Sequence, residues 1–138
     1  MPYLTKQYKF CAAHRYWNPE WNEDKNLEIF GEDVKVHGHN YELQITINGP
    51  VNPHSGFILN LNNLSKTVEE NVISIMDHSQ IELDIKWFEN KQPSTENMVI
   101  FIWDQLVDKI EKPAQLHSIL LRETPTIFTE YFGPEGKR

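Results

Sequence analysis

Two histidines separated by one residue, His37 and His39, stand directly ahead of an alternating segment, Tyr41-Glu42-Leu43-Gln44-Ile45-Thr46-Ile47. Side chains on a strand repeat every two residues, so both imidazoles project from the face that Tyr41, Leu43, Ile45 and Ile47 continue. Histidines held against an apolar surface are poorly placed to carry charge and well placed to offer neutral nitrogens to a cation. Upstream, Tyr8, Phe10, Ala12 and His14 form a second one-sided strand that ends in histidine. Two strands that finish in inward-facing histidines supply three nitrogen ligands and leave a fourth position open. That is the pattern of catalytic zinc, since structural sites are closed and rich in cysteine. The competing reading is three strand histidines satisfied by hydrogen bonds.

Other residues have the types that chemistry needs. Asp77-His78 closes a helical pattern with a carboxylate beside an imidazole, an arrangement that fixes a tautomer for proton transfer. A histidine favoured by the negative end of a helix is the alternative. Glu123 shares phase with Ile119 and Leu121, which puts a carboxylate on a buried strand face, where it needs a partner. A carboxylate accepts two parallel hydrogen bonds from an amidine-like edge such as a pterin or guanine ring presents; a salt bridge is the plainer role. Thr95-Glu96 opens a helix, where free backbone N–H groups bind an anion or a ring carbonyl, or merely receive a cap.

These residues are positioned by an α+β chain. The pattern predicts strands up to His14 and over 41–47, with a short one at 57–59. A helix starts near Asn62, with Leu64, Val68, Val72, Ile75 and Met76 as its buried stripe. A second helix is announced by Pro93-Ser94-Thr95, with Ser94 or Thr95 as N-cap, and its stripe runs from Met98 to Ile110. Strands 118–123 and 127–132 close the chain. The polar, aromatic-studded stretch from Tyr16 to Lys35 reads as a long functional loop with a helical turn around Asp24 to Ile29. An antiparallel sheet with two helices on one face is the economical arrangement.

Composition sets the outer limits. The 138 residues suit a single domain over 1–138, and 39% apolar content is enough to build a core. A net charge of −7 argues against a general nucleic-acid binder. The lone cysteine, Cys11, excludes an internal disulfide framework and suits a reducing compartment. No apolar run reaches the length of a membrane span, so a cytoplasmic protein is expected.

Six segments in order carry a resemblance: 10–15 (FCAAHR), 37–41 (HGHNY), 56–61 (GFILNL), 76–78 (MDH), 94–97 (STEN) and 122–124 (RET). The chain resembles the 6-pyruvoyltetrahydropterin synthase / 6-carboxytetrahydropterin synthase family over nearly its whole length, and is most similar to the pyruvoyl branch. The resemblance implies the tunnelling fold, a four-stranded antiparallel sheet with two helices. It also implies subunits joined through sheet edges into trimers that pair as a homohexamer, with the active site between subunits. Zinc is implied at His14, His37 and His39, proton transfer at Asp77 and His78, and pterin anchoring at Glu123, Thr95 and Glu96. The implied substrate is 7,8-dihydroneopterin triphosphate, which loses triphosphate with internal rearrangement. Arg15 and Lys35, beside the histidines, are the candidate triphosphate contacts.

One departure bears on the reaction. The pyruvoyl branch usually carries a catalytic cysteine after a Phe-Gly pair, shortly before the paired histidines. Here Phe30-Gly31-Glu32-Asp33-Val34-Lys35-Val36 contains none, and Asp33 takes the nearest position. Cys11 should point away from His14. A side-chain-cleaving variant with a glutamate three residues before the first histidine fits poorly, because that position is Val34. The alternatives are a 6-carboxytetrahydropterin synthase on the queuosine route and a pterin- or purine-binding protein without catalysis. A cupin-like oxygenase would need more strands than the helical patterning allows.

Overall fold

The computed structural model describes residues 1–136. In chain order the elements are β1 (Tyr3–His14), α1 (Glu23–Phe30), β2 (His37–Asn48), α2 (Leu61–Val68), α3 (Ser74–Met76), β3 (Ser79–Gln80), α4 (Ile81–Asp84), α5 (Thr95–Leu106), β4 (Gln115–Thr124) and β5 (Ile127–Tyr131). They build an α+β protein on one sheet, ordered β3-β1-β2-β4-β5. β1 and β2 pair antiparallel over their full length, from Tyr3 opposite Asn48 to His14 opposite His37. The register therefore carries all three candidate histidines to one end of the sheet.

The alternation read from the sequence decides which face is dry. Leu43, Ile45, Ile47, Ile119 and Leu121 are fully buried, and Val68, Met76, Met98, Ile102 and Leu106 of the helices are buried with them in one core. Each such side chain contributes about 1.5–3 kcal/mol through removal from water. The opposite face carries Lys9, Cys11, Asn40, Glu42, Gln44 and Arg122, none of them buried.

Three expectations need correction. The sheet has five strands rather than four, and is mixed: the two-residue β3 runs parallel to β1, opposite Ala12 and Ala13. The chain turns sharply after Met76 because His78 adopts a left-handed conformation, φ +62°, as residues that terminate helices often do. Its N–H donates to the Cys11 carbonyl at 2.6 Å, which lays the following residues along β1. Second, 57–59 is not a strand; Asn52 instead organises a loop, its side chain accepting from the N–H groups of His54 and Ser55. Third, the first helix widens into a π turn at Glu69–Ile73. One extra residue per turn advances the buried stripe, so Ile73 is buried and Ile75 is exposed.

The long loop is held from within. Asn26 is fully buried. Its amide donates to the carbonyls of Asn18, Trp21 and Asn22, and its oxygen accepts from the Asn18 N–H. Phe30, at the end of α1, stacks between Tyr16 and Trp21 with centroid separations of 5.4 and 5.8 Å. This stack brings the Gly31–Val34 turn, and Asp33 with it, against the end of β1, where the Tyr16 N–H donates to the Asp33 carbonyl at 2.9 Å.

Candidate metal centre and active site

His14 closes β1 and His37 opens β2, so the pair face each other in register, and His39 lies two residues further in. Ring centroids are 4.6 Å apart for His14 and His37, 5.2 Å for His14 and His39, and 5.1 Å for His37 and His39. One nitrogen from each ring falls within 4.8 Å of the others.

The second nitrogens show how two of the rings are oriented. Nδ1 of His14 lies 2.8 Å from the Pro93 carbonyl, and Nδ1 of His37 lies 2.8 Å from the Lys35 carbonyl. A carbonyl can only accept, so both Nδ1 atoms carry a proton, and in a neutral ring that leaves the lone pair on Nε2. His14 is wholly buried, and its Nε2 has no hydrogen-bond partner. Burial, with some help from the neighbouring histidines, pushes the His14 pKa down to about 4, so the ring is neutral at pH 7. A dry, neutral, unpartnered nitrogen beside two more imidazoles fits a divalent ion such as zinc, and suits a charged group poorly.

Glu123 reaches the triad from β4. Its Oε1 is 3.0 Å from Nε2 of His39, although the pair is not aligned as a hydrogen bond, and that nitrogen also lacks a partner. Both side chains border a cavity of about 600 Å³ with Gly38, Asn40, Glu42, Arg122, Thr124 and Pro125. Thr95 is buried, and its hydroxyl lies 2.8 Å from that of Thr129 and donates to the Glu96 carboxylate at 3.1 Å. Ser94, not Thr95, caps α5. Asp33 approaches from the other flank, with Oδ1 3.7 Å from Nε2 of His37.

Asp77 and His78 occupy a different position. One Asp77 oxygen accepts the Cys11 N–H at 2.9 Å, and the other is 2.9 Å from Nδ1 of His78. The Cys11 N–H, more than any other contact, holds the Asp77 carboxyl below its ordinary range. The His78 side chain is 83% exposed. It shares a cavity of about 340 Å³ with Cys11, Gly38, His39 and Asn40. Among the described residues no hydrogen bond, ion pair or ring contact joins it to the three histidines. The Cys11 thiol donates to the Asn40 side chain at 2.9 Å, on the sheet face away from His14.

The two basic candidates lie outside both cavities. The Arg15 guanidinium sits 5.1 Å from the Trp17 ring, and Arg15 lines a separate cleft with Glu82, Lys91 and Gln92. Lys35 is exposed and pairs with Glu32 at 3.2 Å.

Two tyrosines that the spacing of the histidines does not announce also line the site. Tyr16 packs its ring 5.0 Å from His14, and Tyr41 lies 5.7 Å from His39 with its hydroxyl buried and unpartnered. Burial first, and then the Glu123 charge, raises the pKa of both phenols, so both remain protonated at pH 7. The signal was present, because Tyr16 continues the even phase of β1 and Tyr41 the odd phase of β2. Nothing in the local pattern pointed to the Pro93 carbonyl, which meets His14 across 79 residues of chain.

Known proteins share this arrangement of chain. The family model described as 6-pyruvoyl tetrahydropterin synthase matches residues 3–134. The 6-pyruvoyl tetrahydrobiopterin synthase of Drosophila melanogaster is 34% identical over 134 residues, spanning 96% of this chain and 80% of the relative. The 6-carboxy-5,6,7,8-tetrahydropterin synthase of Bacillus subtilis is 31% identical over 138 residues, spanning 91% of this chain and 92% of the relative. The solved structure of Caenorhabditis elegans 6-pyruvoyl tetrahydropterin synthase superposes with a TM-score of 0.86 at 30% identity, covering 96% of this chain and 97% of that one. With sequence and architecture agreeing from β1 to the end of β5, the chain belongs to the 6-pyruvoyl tetrahydropterin synthase family.

Proposed function

We propose that the protein is a zinc-dependent 6-pyruvoyltetrahydropterin synthase-like lyase that acts on 7,8-dihydroneopterin triphosphate by eliminating triphosphate and rearranging the side chain. The observation that carries this reading is the gathering of three imidazole nitrogens within 4.8 Å, one of them buried, neutral and without a partner. A zinc ion held by His14, His37 and His39 would supply Lewis-acid stabilisation of the negative charge that develops on side-chain oxygens.

The other residues take roles suited to their places. Glu123, lining the 600 Å³ cavity, accepts two hydrogen bonds from the amidine edge of the pterin ring, with Thr95 and Glu96 completing the anchor. His78 shuttles a proton while Asp77 steadies its charge. Because the His78 ring faces outward, the dyad of one copy serves the metal centre of another, consistent with a hexameric assembly. Asp33, beside His37 where relatives of the pyruvoyl branch carry cysteine, takes the substrate proton. Arg15 and Lys35 are the triphosphate candidates, from positions flanking His14 and His37.

A second product has a specific observation behind it. The 31% identity to a 6-carboxy-5,6,7,8-tetrahydropterin synthase favours testing for a carboxylated pterin, and the missing cysteine favours testing for binding without turnover. Zinc-loaded protein incubated with dihydroneopterin triphosphate should release triphosphate, and mass spectrometry should identify a 6-pyruvoyl product. A 6-carboxy product would replace the first reading with the second, and tight binding with no turnover would leave a pterin-binding protein. Asp33→Ala should slow turnover about 100-fold if Asp33 is the base; unchanged turnover dismisses it.

A further inference from the structure

The Pro93 carbonyl that selects the His14 tautomer has no side chain of its own to hold it in place, and proline has no N–H with which to join a hydrogen-bonded ladder. The residue before it supplies the missing restraint. The Gln92 side-chain amide makes a two-way bridge to the backbone of Trp17: the Trp17 N–H donates to Gln92 Oε1 at 3.2 Å, and Gln92 Nε2 donates to the Trp17 carbonyl at 2.9 Å. The Gln92 carbonyl in turn accepts from the Asn97 side-chain amide at 2.9 Å. On the far side of Pro93, Ser94 caps α5 by accepting the Asn97 N–H.

Trp17 is only three residues beyond His14. The Gln92 bridge thus ties together the segment that carries the imidazole donor and the segment that carries its carbonyl acceptor. Contacts that fix the second nitrogen of a metal-binding histidine set its tautomer and ring direction, and their loss typically weakens metal affinity 10–100-fold. Here that contact is a backbone oxygen, so side-chain control of it passes to Gln92.

We propose that Gln92 is a positioning residue of the metal centre: by clamping Trp17 to the residue before Pro93, it keeps the His14 Nδ1 proton on the Pro93 carbonyl and the Nε2 lone pair aimed at the ion. This rests on the metal-binding reading of His14, His37 and His39, and its test is arranged to separate the two.

The first measurement is zinc affinity by competition with a chelator, on wild type and on Gln92→Leu, which keeps volume but removes both bridge hydrogen bonds. Affinity should fall about 10–100-fold. The Gln92→Glu variant keeps an acceptor for the Trp17 N–H but sets a carboxylate oxygen against the Trp17 carbonyl, a repulsive contact, so affinity should fall in it as well. The second measurement uses metal-free protein: nitrogen NMR of His14 should show a single Nδ1–H tautomer in wild type and a mixture with Nε2–H in Gln92→Leu. Should Gln92→Leu not fold, Gln92→Glu carries both measurements. Unchanged affinity together with an unchanged tautomer overturns the proposal, even if the melting temperature falls, because that is the signature of a merely structural residue. A wild-type protein with no zinc affinity would overturn the metal reading instead, and the tautomer measurement would then decide the role of Gln92 alone.

Discussion

The histidine triad and the Asp77–His78 pair, both carried near the same end of β1, are built on opposite principles. The triad is the more enclosed of the two: His14 is wholly buried, His37 and His39 are partly buried, and the rings of His14 and His37 are each pinned by a carbonyl. The pair is exposed: the Asp77 carboxylate and the His78 N–H both bond the Cys11 backbone, while the His78 side chain, in a left-handed backbone conformation, faces outward. Holding an ion calls for several fixed lone pairs aimed at one point. Passing a proton calls for a ring that something else can touch. The enclosed triad suits the first task and the exposed pair suits the second.

The largest effect should come from breaking the enclosed half. Replacing His14 or His39 with alanine removes one of three ligands, and bound zinc, measured by elemental analysis after dialysis, should fall from about one equivalent per chain to near none. Full retention in His39→Ala would mean that the triad is not the metal site. Breaking the exposed half should spare the metal. Asp77→Asn should keep zinc while lowering kcat by about 10²–10⁴-fold, the range for a lost acid–base partner. The contrast sharpens if His39→Ala and His78→Ala proteins are unfolded and refolded together. A site shared between copies restores part of the turnover in mixed oligomers, whereas a site contained within one chain restores none.

Acid should separate the halves in a third way. The folded His14 pKa is about 4, below the ordinary value of 6.5. The unfolded chain therefore binds a proton first as pH falls, which favours unfolding. The stability that His14 contributes is complete above pH 6.5 and is lost as pH falls towards 4, up to roughly 3 kcal/mol. Urea unfolding of the metal-free protein across this window should show the loss, and His14→Phe should flatten that part of the profile. The smallest effect is expected at the border between metal and pterin. Glu123→Gln keeps the shape but halves the acceptor capacity, and should weaken pterin binding by about 2 kcal/mol while leaving zinc in place. Equal pterin affinity in both proteins, measured by calorimetry, would remove Glu123 from the anchor.

The sequence was most legible where a residue's direction follows from a two-residue repeat. His14, His37, His39 and Glu123 all lie on the dry face because Phe10, Tyr41 and Leu121 do. The same logic sent the Cys11 thiol to the other face, where it bonds Asn40. The first helix shows the limit of such counting. Its apolar residues stand out at helical spacing, but the π turn that exchanges Ile75 for Ile73 leaves no local mark. The parallel β3 was equally hidden, because two residues carry no period, and their pairing follows from where the chain re-enters beside β1. Gln92 is illegible in the sequence for a related reason: its meaning lies in a contact 75 residues away along the chain.

The wide turn at Glu69–Ile73 has an effect beyond the core. Rotation accumulates along a screw, so each residue gained or lost in a helix swings all that follows by about 100°. The Asp77 oxygen that meets the Cys11 N–H does so just four residues after this turn ends. Closing that turn into regular α-helix without removing a residue would bring Ile75 inward and turn Asp77 and His78 away from Cys11, whereas deleting one residue along with the turn would leave them in place. That extra residue is the shim that keeps two otherwise unrelated parts of the protein in angular alignment.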